Sequence, residues 1–190
     1  MAIDIAGFIT YLKDHSIEHG FHVHDERHFL ETYSLRQSFE VDLHPESACD
    51  GPLDLHLAFE IDPRTLLELE DHVYEHGDPV PQPERFGMSL LFNWELPSLG
   101  APPDLVVLAA ELAGIAGPGL PIDVSGVSSM GALATGEEHR LMMVAKVEVS
   151  MVDVLRGEES LCDVLDRCRD VSEYLAGQAE AWDVVFHPPE

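Results

Sequence analysis

The sequence of 190 residues predicts a single α+β domain spanning residues 1–190. We expect a mainly antiparallel sheet of about 4–6 strands, covered by an N-terminal helix, a middle helix and a long C-terminal helix. Three observations predict this class. Several segments alternate apolar and polar residues, which is typical of half-buried strands, and others repeat apolar residues at the helical spacing. The order of helix, hairpin, helix, strand, helix, strand pair and helix then favours antiparallel pairing.

The clearest pattern is a hairpin at residues 37–61. Two runs of alternating residues flank a turn at residues 45–52, which contains Pro, Asp and Gly. Alternation places one apolar set on a single strand face, and its members are Phe39, Val41, Leu43, Leu53, Leu55, Leu57, Phe59 and Ile61. We expect this face to lie in the core and the intervening polar residues to face solvent.

An N-terminal helix is predicted to begin after Asp4, a suitable cap, and to end before Gly20. Its apolar stripe consists of Ile5, Phe8, Ile9 and Leu12. Residues 21–33 fit two interpretations. Residues 21–24 could open a strand, whereas residues 25–33 show helical spacing through Phe29 and Tyr33, and the pattern leaves this choice open.

After the hairpin, a middle helix is predicted with Asp62 at its cap, Pro63 in its first turn and Gly77 beyond its end. Residues 78–83 contain alternating prolines and predict a stiff, extended connector. Residues 86–96 alternate again and predict a strand.

The second half of the chain begins with a helix at residues 104–116. Glu111 is its only charge after Asp104, so we expect this helix to be buried. A short strand is predicted at residues 121–127, and a mobile loop at residues 125–136, which are rich in Ser, Gly, Ala and Thr. A long strand at residues 141–151 and a helix from about residue 158 to 182 complete the pattern.

The charge of the chain limits its function. It has 36 Asp and Glu against 10 Lys and Arg, a formal net charge of −26. Such a surface repels phosphate backbones and anionic lipids, so we expect neither nucleic-acid nor membrane binding. The three cysteines form no CxxC motif and the N-terminus lacks the pattern of a signal peptide, so we expect reduced thiols and a cytoplasmic location.

Histidine is the residue type that stands out, with 11 copies. Pairs at i,i+4 place two imidazoles on one helical face, and three such pairs are His15 with His19, His24 with His28, and His72 with His76. Each helical pair needs a third ligand from elsewhere. His22 and His24 would also lie on one face of the strand that could begin at residue 21. The candidate Zn²⁺ ligands are therefore His22, His24, His72 and His76.

No residue is assigned a catalytic role. Residues 126–131 contain Ser128 and Ser129 but are one residue too long for a GxSxG nucleophile elbow. The glycines of residues 114–119 close a helix, whereas a phosphate loop opens one. The remaining candidates lie on apolar faces and are expected in the core: Trp94, Cys168 and Trp182.

These observations favour a non-catalytic accessory module that binds a protein, with a basic partner favoured by charge. The acidity and the helix before a hairpin resemble small bacterial secretion chaperones, in charge and element order only. The alternative is a metal-dependent enzyme that uses the histidine pairs, and the third hypothesis is an acidic nucleic-acid mimic. A homodimer is also predicted, because the strand at residues 86–96 leaves an edge that must be covered or paired and the final helix with Trp182 offers an apolar surface.

Overall fold

The computed structural model describes residues 5–33, 36–77, 86–129, 138–156 and 161–184. Its strands are β1 (Phe21–Leu30), β2 (Gln37–Pro45), β3 (Asp54–Ile61), β4 (Gly87–Glu95), β5 (Ile122–Ser129) and β6 (Glu138–Ser150). Each strand pairs with its neighbours in the antiparallel sense, in the spatial order β1-β2-β3-β4-β6-β5. The α+β class and the antiparallel sheet are therefore confirmed.

The helices are α1 (Ile5–Glu18), α2 (Pro63–His76), α3 (Leu105–Ala116), α4 (Met151–Arg156) and α5 (Leu161–Gln178). A short 3-10 helix, Glu46–Ala48, lies between β2 and β3. The predicted Asp62 cap is confirmed, because its Oδ1 accepts from the amide of Arg64. Asp104 also caps its helix, with Oδ1 accepting from the amides of Val106 and Val107, whereas Asp4 lies outside the described residues. No helix in the described part of the chain is long and apolar enough to cross a membrane.

The core lies on one face of the sheet. In the β2–β3 pair, Phe39 lies opposite Phe59, and Val41 lies opposite Leu57. These side chains are buried, whereas Glu60 on the other face is exposed. The predicted register is therefore confirmed. Buried side chains of the helices join the same core, among them Ile9, Leu12, Leu69, Leu108, Leu112, Leu165 and Leu175.

A buried hydrogen-bond chain ties the sheet to α5. Trp94 Nε1 donates to Ser172 Oγ at 2.8 Å, and Ser172 Oγ donates to the carbonyl oxygen of Cys168 at 2.7 Å. All three residues are fully buried, so the two polar side chains satisfy each other where water is excluded. The core positions predicted for Trp94 and Cys168 are confirmed.

Residues 21–33, which fitted two interpretations, form strand β1 over Phe21–Leu30. The helical spacing there has no apolar surface to pack against: Phe29 is 50% and Tyr33 100% exposed. Pairing with β2 instead satisfies the backbone of this segment, and Phe21 anchors its first residue in the core.

The homodimer prediction rested on an edge strand at residues 86–96 and on an exposed Trp182, and the structure contradicts both. Strand β4 is not an edge, because it pairs with β3 on one side and β6 on the other. Trp182 is only 7% exposed and belongs to the core. Its segment folds back on the sheet: the amide of Ala101 donates to the carbonyl of Trp182 at 3.0 Å, and Leu99 bridges Val184.

Several boundaries in the second half also differ from the prediction. Strand β5 continues to Ser129, inside the predicted loop, because it pairs with β6 along its full length. Met151 begins α4 rather than ending the preceding strand, and α5 ends at Gln178. Helix α3 buries one face only, since Val106 is 80% exposed. Residues 78–83, 130–136 and 157–160 lie outside the described residues.

Candidate metal centres

Two histidines of β1 meet a cysteine from the turn after β2. His22 Nδ1 lies 3.2 Å from Cys49 Sγ, and His24 Nε2 lies 2.9 Å from the same sulfur. The three ligand atoms all lie within 4.8 Å of one another. Both histidines are exposed and Cys49 is half-buried. We call this cluster, His22, His24 and Cys49, the strand site.

A β-bulge shapes the strand side of this site. His22 lies directly opposite His44, and the register then shifts between Val23 and Asp25. His24 is therefore the extra, unpaired residue of the bulge. A bulge bends its strand and redirects the side chains at that point. The bulge thus gives β1 two imidazoles that converge on one sulfur.

The turn that carries Cys49 is held against β1 by the backbone. The amide of Glu46 donates to the carbonyl of Gly20 at 3.0 Å, at the junction of α1 and β1. Gly20 has φ of 84°, a conformation that favours glycine and turns the chain from helix to strand. The 3-10 helix that begins at Glu46 then places Cys49 one residue beyond its end.

A third imidazole, that of His44, borders the strand site. The His44 and His24 ring centroids lie 4.4 Å apart, and the His44 side chain is 14% exposed. Its Nε2 lies 3.2 Å from Asp54 Oδ1, while its Nδ1 is buried and has no hydrogen-bond partner. This hydrogen bond is the main cause that lowers the pKa of Asp54. A carboxylate on one ring nitrogen is the usual arrangement for a histidine whose other nitrogen binds metal.

The ligand set of the strand site fits Zn²⁺. Zinc prefers thiolate and imidazole ligands, and bonds of about 2.0–2.3 Å in a tetrahedron separate N and S ligand atoms by about 3.5 Å. The N–S distances here are 3.2 and 2.9 Å. Side chains at the surface can open by this difference through small rotations about their χ angles. His44 borders this cluster through its ring contact with His24, but it is not one of the three ligand atoms that lie within 4.8 Å of one another.

A second cluster lies between the two ends of the chain. His15 in the last turn of α1 and His19 directly after the helix approach Cys162 of α5, and the three ligand atoms lie within 4.8 Å of one another. The sequence pattern identified this histidine pair, which was not among the four candidate ligands. We call this cluster, His15, His19 and Cys162, the helix site.

The other predicted pairs do not gain a third ligand. His72 and His76 stack on α2 with ring centroids 4.5 Å apart, but they belong to no three-ligand cluster among the described residues. His72 also borders Phe86, at 5.6 Å between centroids. His28 stacks on Phe39 on the core side of β1, away from His24. Because this segment is a strand, i,i+4 spacing does not place His24 and His28 on one helical face.

The cysteine ligands were missed by the sequence pattern. Cys49 lies 25 residues from His24, and Cys162 lies 147 residues from His15. Metal motifs with short, fixed spacings do not extend over such separations. The third cysteine, Cys168, is fully buried, and burial raises the pKa of its thiol well above the ordinary value. A buried thiol of this kind is unreactive.

One serine in the rejected nucleophile segment has a histidine neighbour. Ser128 Oγ lies 2.9 Å from His139 Nδ1, and the two residues are directly opposed in the β5–β6 pair. This is a cross-strand pair on an exposed face, of the kind that stabilises hairpins. We therefore assign neither Ser128 nor His139 a catalytic role.

The strand site and the helix site are therefore the two candidate metal centres among the described residues. Comparison of the chain with protein-family models, with curated proteins and with solved structures gave no match.

Proposed function

We propose that this protein is a non-catalytic accessory protein that binds Zn²⁺ at the strand site. One observation carries the proposal: Cys49 Sγ lies within 3.2 Å of nitrogens from both His22 and His24. A thiol between two imidazoles provides three of the four ligands of a tetrahedral zinc site.

A fourth protein ligand would favour a binding site over a catalytic one, and His44 is the residue proposed for it. A catalytic zinc site keeps one coordination position open for water, whereas a binding or structural site is closed by four protein ligands. We propose His44 as the fourth ligand, because its Nδ1 has no hydrogen-bond partner and its ring centroid lies 4.4 Å from that of His24. The Asp54 carboxylate on its Nε2 holds the ring and makes it a better ligand.

The charge of the protein supports both halves of the proposal. At −26, the surface attracts divalent cations and raises their concentration near the sites. The same charge favours a basic surface on the protein partner of an accessory module. Binding to such a partner would weaken as salt is added, and binding unaffected by salt would argue against this partner class.

Zinc protection of Cys49 tests the strand site directly. The metal-stripped protein is alkylated with iodoacetamide with and without Zn²⁺, and each cysteine peptide is quantified by mass spectrometry. We expect Zn²⁺ to slow alkylation of Cys49, because a coordinated thiolate is not free to attack. The buried Cys168 serves as an internal control that reacts slowly in both conditions.

Two variants complete this experiment. His24→Ala should remove the protection of Cys49, because it deletes one ligand. His76→Ala removes an exposed histidine outside both clusters and should leave the protection unchanged. Equal alkylation of Cys49 with and without saturating Zn²⁺ would refute the proposed function.

A further inference from the structure

The geometry points to a second Zn²⁺ site at the helix site, in which His15 of α1, His19 directly after its end and Cys162 of α5 bind one ion and tie the two helices together. This site shares no residue with the strand site. A test of the helix site is therefore independent of a test of the proposed function.

The amide of His19, one residue past the end of α1, donates to the carbonyl of His15 at 3.1 Å, and this turn places both imidazoles on one side of the helix. His15 and His19 are separated by one helical turn, and their ring centroids lie 4.7 Å apart. Their side chains are only 13% and 16% exposed. His15 Nε2 lies 3.1 Å from Cys162 Sγ, in the first turn of α5. The pair on one helix thus gains the third ligand that its spacing alone did not supply.

A carboxylate lies near the Nδ1 atom of each imidazole, and one of the two accepts a hydrogen bond from it. Glu18 Oε2 lies 3.5 Å from His15 Nδ1, and Asp166 Oδ1 lies 2.9 Å from His19 Nδ1. An Nδ1–H group that donates to a carboxylate leaves Nε2 unprotonated and free to bind metal. His19 therefore has the carboxylate–imidazole hydrogen bond that is typical of zinc ligands, and Glu18 lies near the corresponding nitrogen of His15.

Helix α5 contributes a thiol and a carboxylate that contact the two histidines. Cys162 and Asp166 are one turn apart on α5, so the thiol and the orienting carboxylate lie on the same helical face. That face meets the histidine face of α1. The guanidinium of Arg169 also reaches the carbonyl of His19, at 3.4 Å between Nη1 and O. An ion bound here would link an N-terminal helix to a C-terminal one.

Metal stoichiometry separates the two sites. We expect the metal-stripped wild-type protein to bind two Zn²⁺ ions, the Cys162→Ser and Cys49→Ser variants one each, and the double variant none. Cys162 is exposed, so its serine replacement should leave the metal-free melting temperature unchanged. If Cys162→Ser changes the melting temperature of the metal-free protein, Asp166→Asn replaces it as the test variant. We expect Asp166→Asn to weaken zinc binding at this site about 10–100-fold.

Cobalt and alkylation provide readouts that a purely structural role would not change. Co²⁺ bound by a thiolate absorbs strongly in the near ultraviolet, and Cys162→Ser should remove the contribution of the helix site to this band. Zn²⁺ should also protect Cys162 from iodoacetamide in the wild type and in Cys49→Ser. His76→Ala is the matched histidine control and should retain both signals.

The outcomes distinguish the two proposals. Wild-type binding of one Zn²⁺, lost in Cys49→Ser and unaffected in Cys162→Ser, overturns the helix site and leaves the strand site intact. One Zn²⁺ lost only in Cys162→Ser supports the helix site and refutes the proposed function. Alkylation of Cys162 that is indifferent to Zn²⁺ also overturns the helix site.

Discussion

A tyrosine and a glutamate meet where α3 packs against α5. Tyr174 Oη donates to Glu111 Oε2 at 2.6 Å. Burial, followed by this hydrogen bond and the negative charge of Glu111, raises the pKa of Tyr174 to about 12 from an ordinary value of 10.0. The neutral phenol therefore favours the folded state below pH 10. This contribution is lost as the pH rises toward about 12.

This shift predicts an alkaline titration. Tyrosinate absorbance should contain a component near pH 12 that is absent from Tyr174→Phe. Glu111→Gln should lower the pKa of Tyr174 toward the ordinary value, because it removes the charge next to the phenol. Tyr74→Phe, at a position 90% exposed, is the control and should leave that component in place. A component near pH 12 that persists in Tyr174→Phe would contradict the assignment.

The central strands show how alternation becomes packing at the scale of one element. Leu57 of β3 lies opposite Val41 on one side and Phe92 on the other. It is fully buried, and Phe92 is as well. Close packing leaves little space for the surroundings to collapse when such a side chain is shortened.

Leu57→Ala should therefore lower the free energy of unfolding by about 2–5 kcal/mol, through lost burial and the cavity left behind. Chemical denaturation with unchanged m-value measures this difference. Leu67→Ala is the matched control, because Leu67 is 60% exposed on α2 and alanine is a good helix former. A loss below about 1 kcal/mol in Leu57→Ala would show that this layer is not closely packed.

The net charge acts at the scale of the whole molecule. Only 10 Lys and Arg face 36 Asp and Glu, so most carboxylates have no cationic side chain to pair with. Some pairs are close, such as Lys13 Nζ with Glu26 Oε2 and Arg27 Nη2 with Asp42 Oδ1, each at 2.6 Å. Exposed pairs contribute only about 0–1 kcal/mol each. Repulsion among the excess carboxylates therefore dominates the surface electrostatics.

Salt should therefore stabilise the protein. We expect the melting temperature of the metal-stripped protein to rise between about 0.01 M and 0.5 M NaCl, because the screening length falls below about 10 Å above 0.1 M. Sucrose at equal osmolality controls for effects other than screening. A melting temperature that falls with salt would show that the ion pairs outweigh the repulsion. Light scattering on the same samples measures the molar mass, and a monomer mass at every protein concentration would contradict the predicted homodimer.

The sequence was sufficient for the features that depend on neighbouring residues. The alternation of residues 37–61 determined which side chains of the hairpin lie in the core, because strand faces follow a period of two. Asp62 determined the start of the middle helix, because a cap bonds to an amide two or three residues away. Residues 21–33 were open because their pattern fits two periods, and only pairing with β2 selects the strand.

The candidate sites depended on tertiary structure. His22 and His24 could be named from a strand pattern, and His15 with His19 from a helix pattern, because each pair is local. Their cysteine partners arrive through the backbone bond of Glu46 to Gly20 and through the packing of α5 beside α1. His72 and His76 have the same spacing as His15 and His19, yet only the latter pair faces a thiol. Periodicity fixes the face on which a side chain lies, but the partner of that face is set by how distant elements pack.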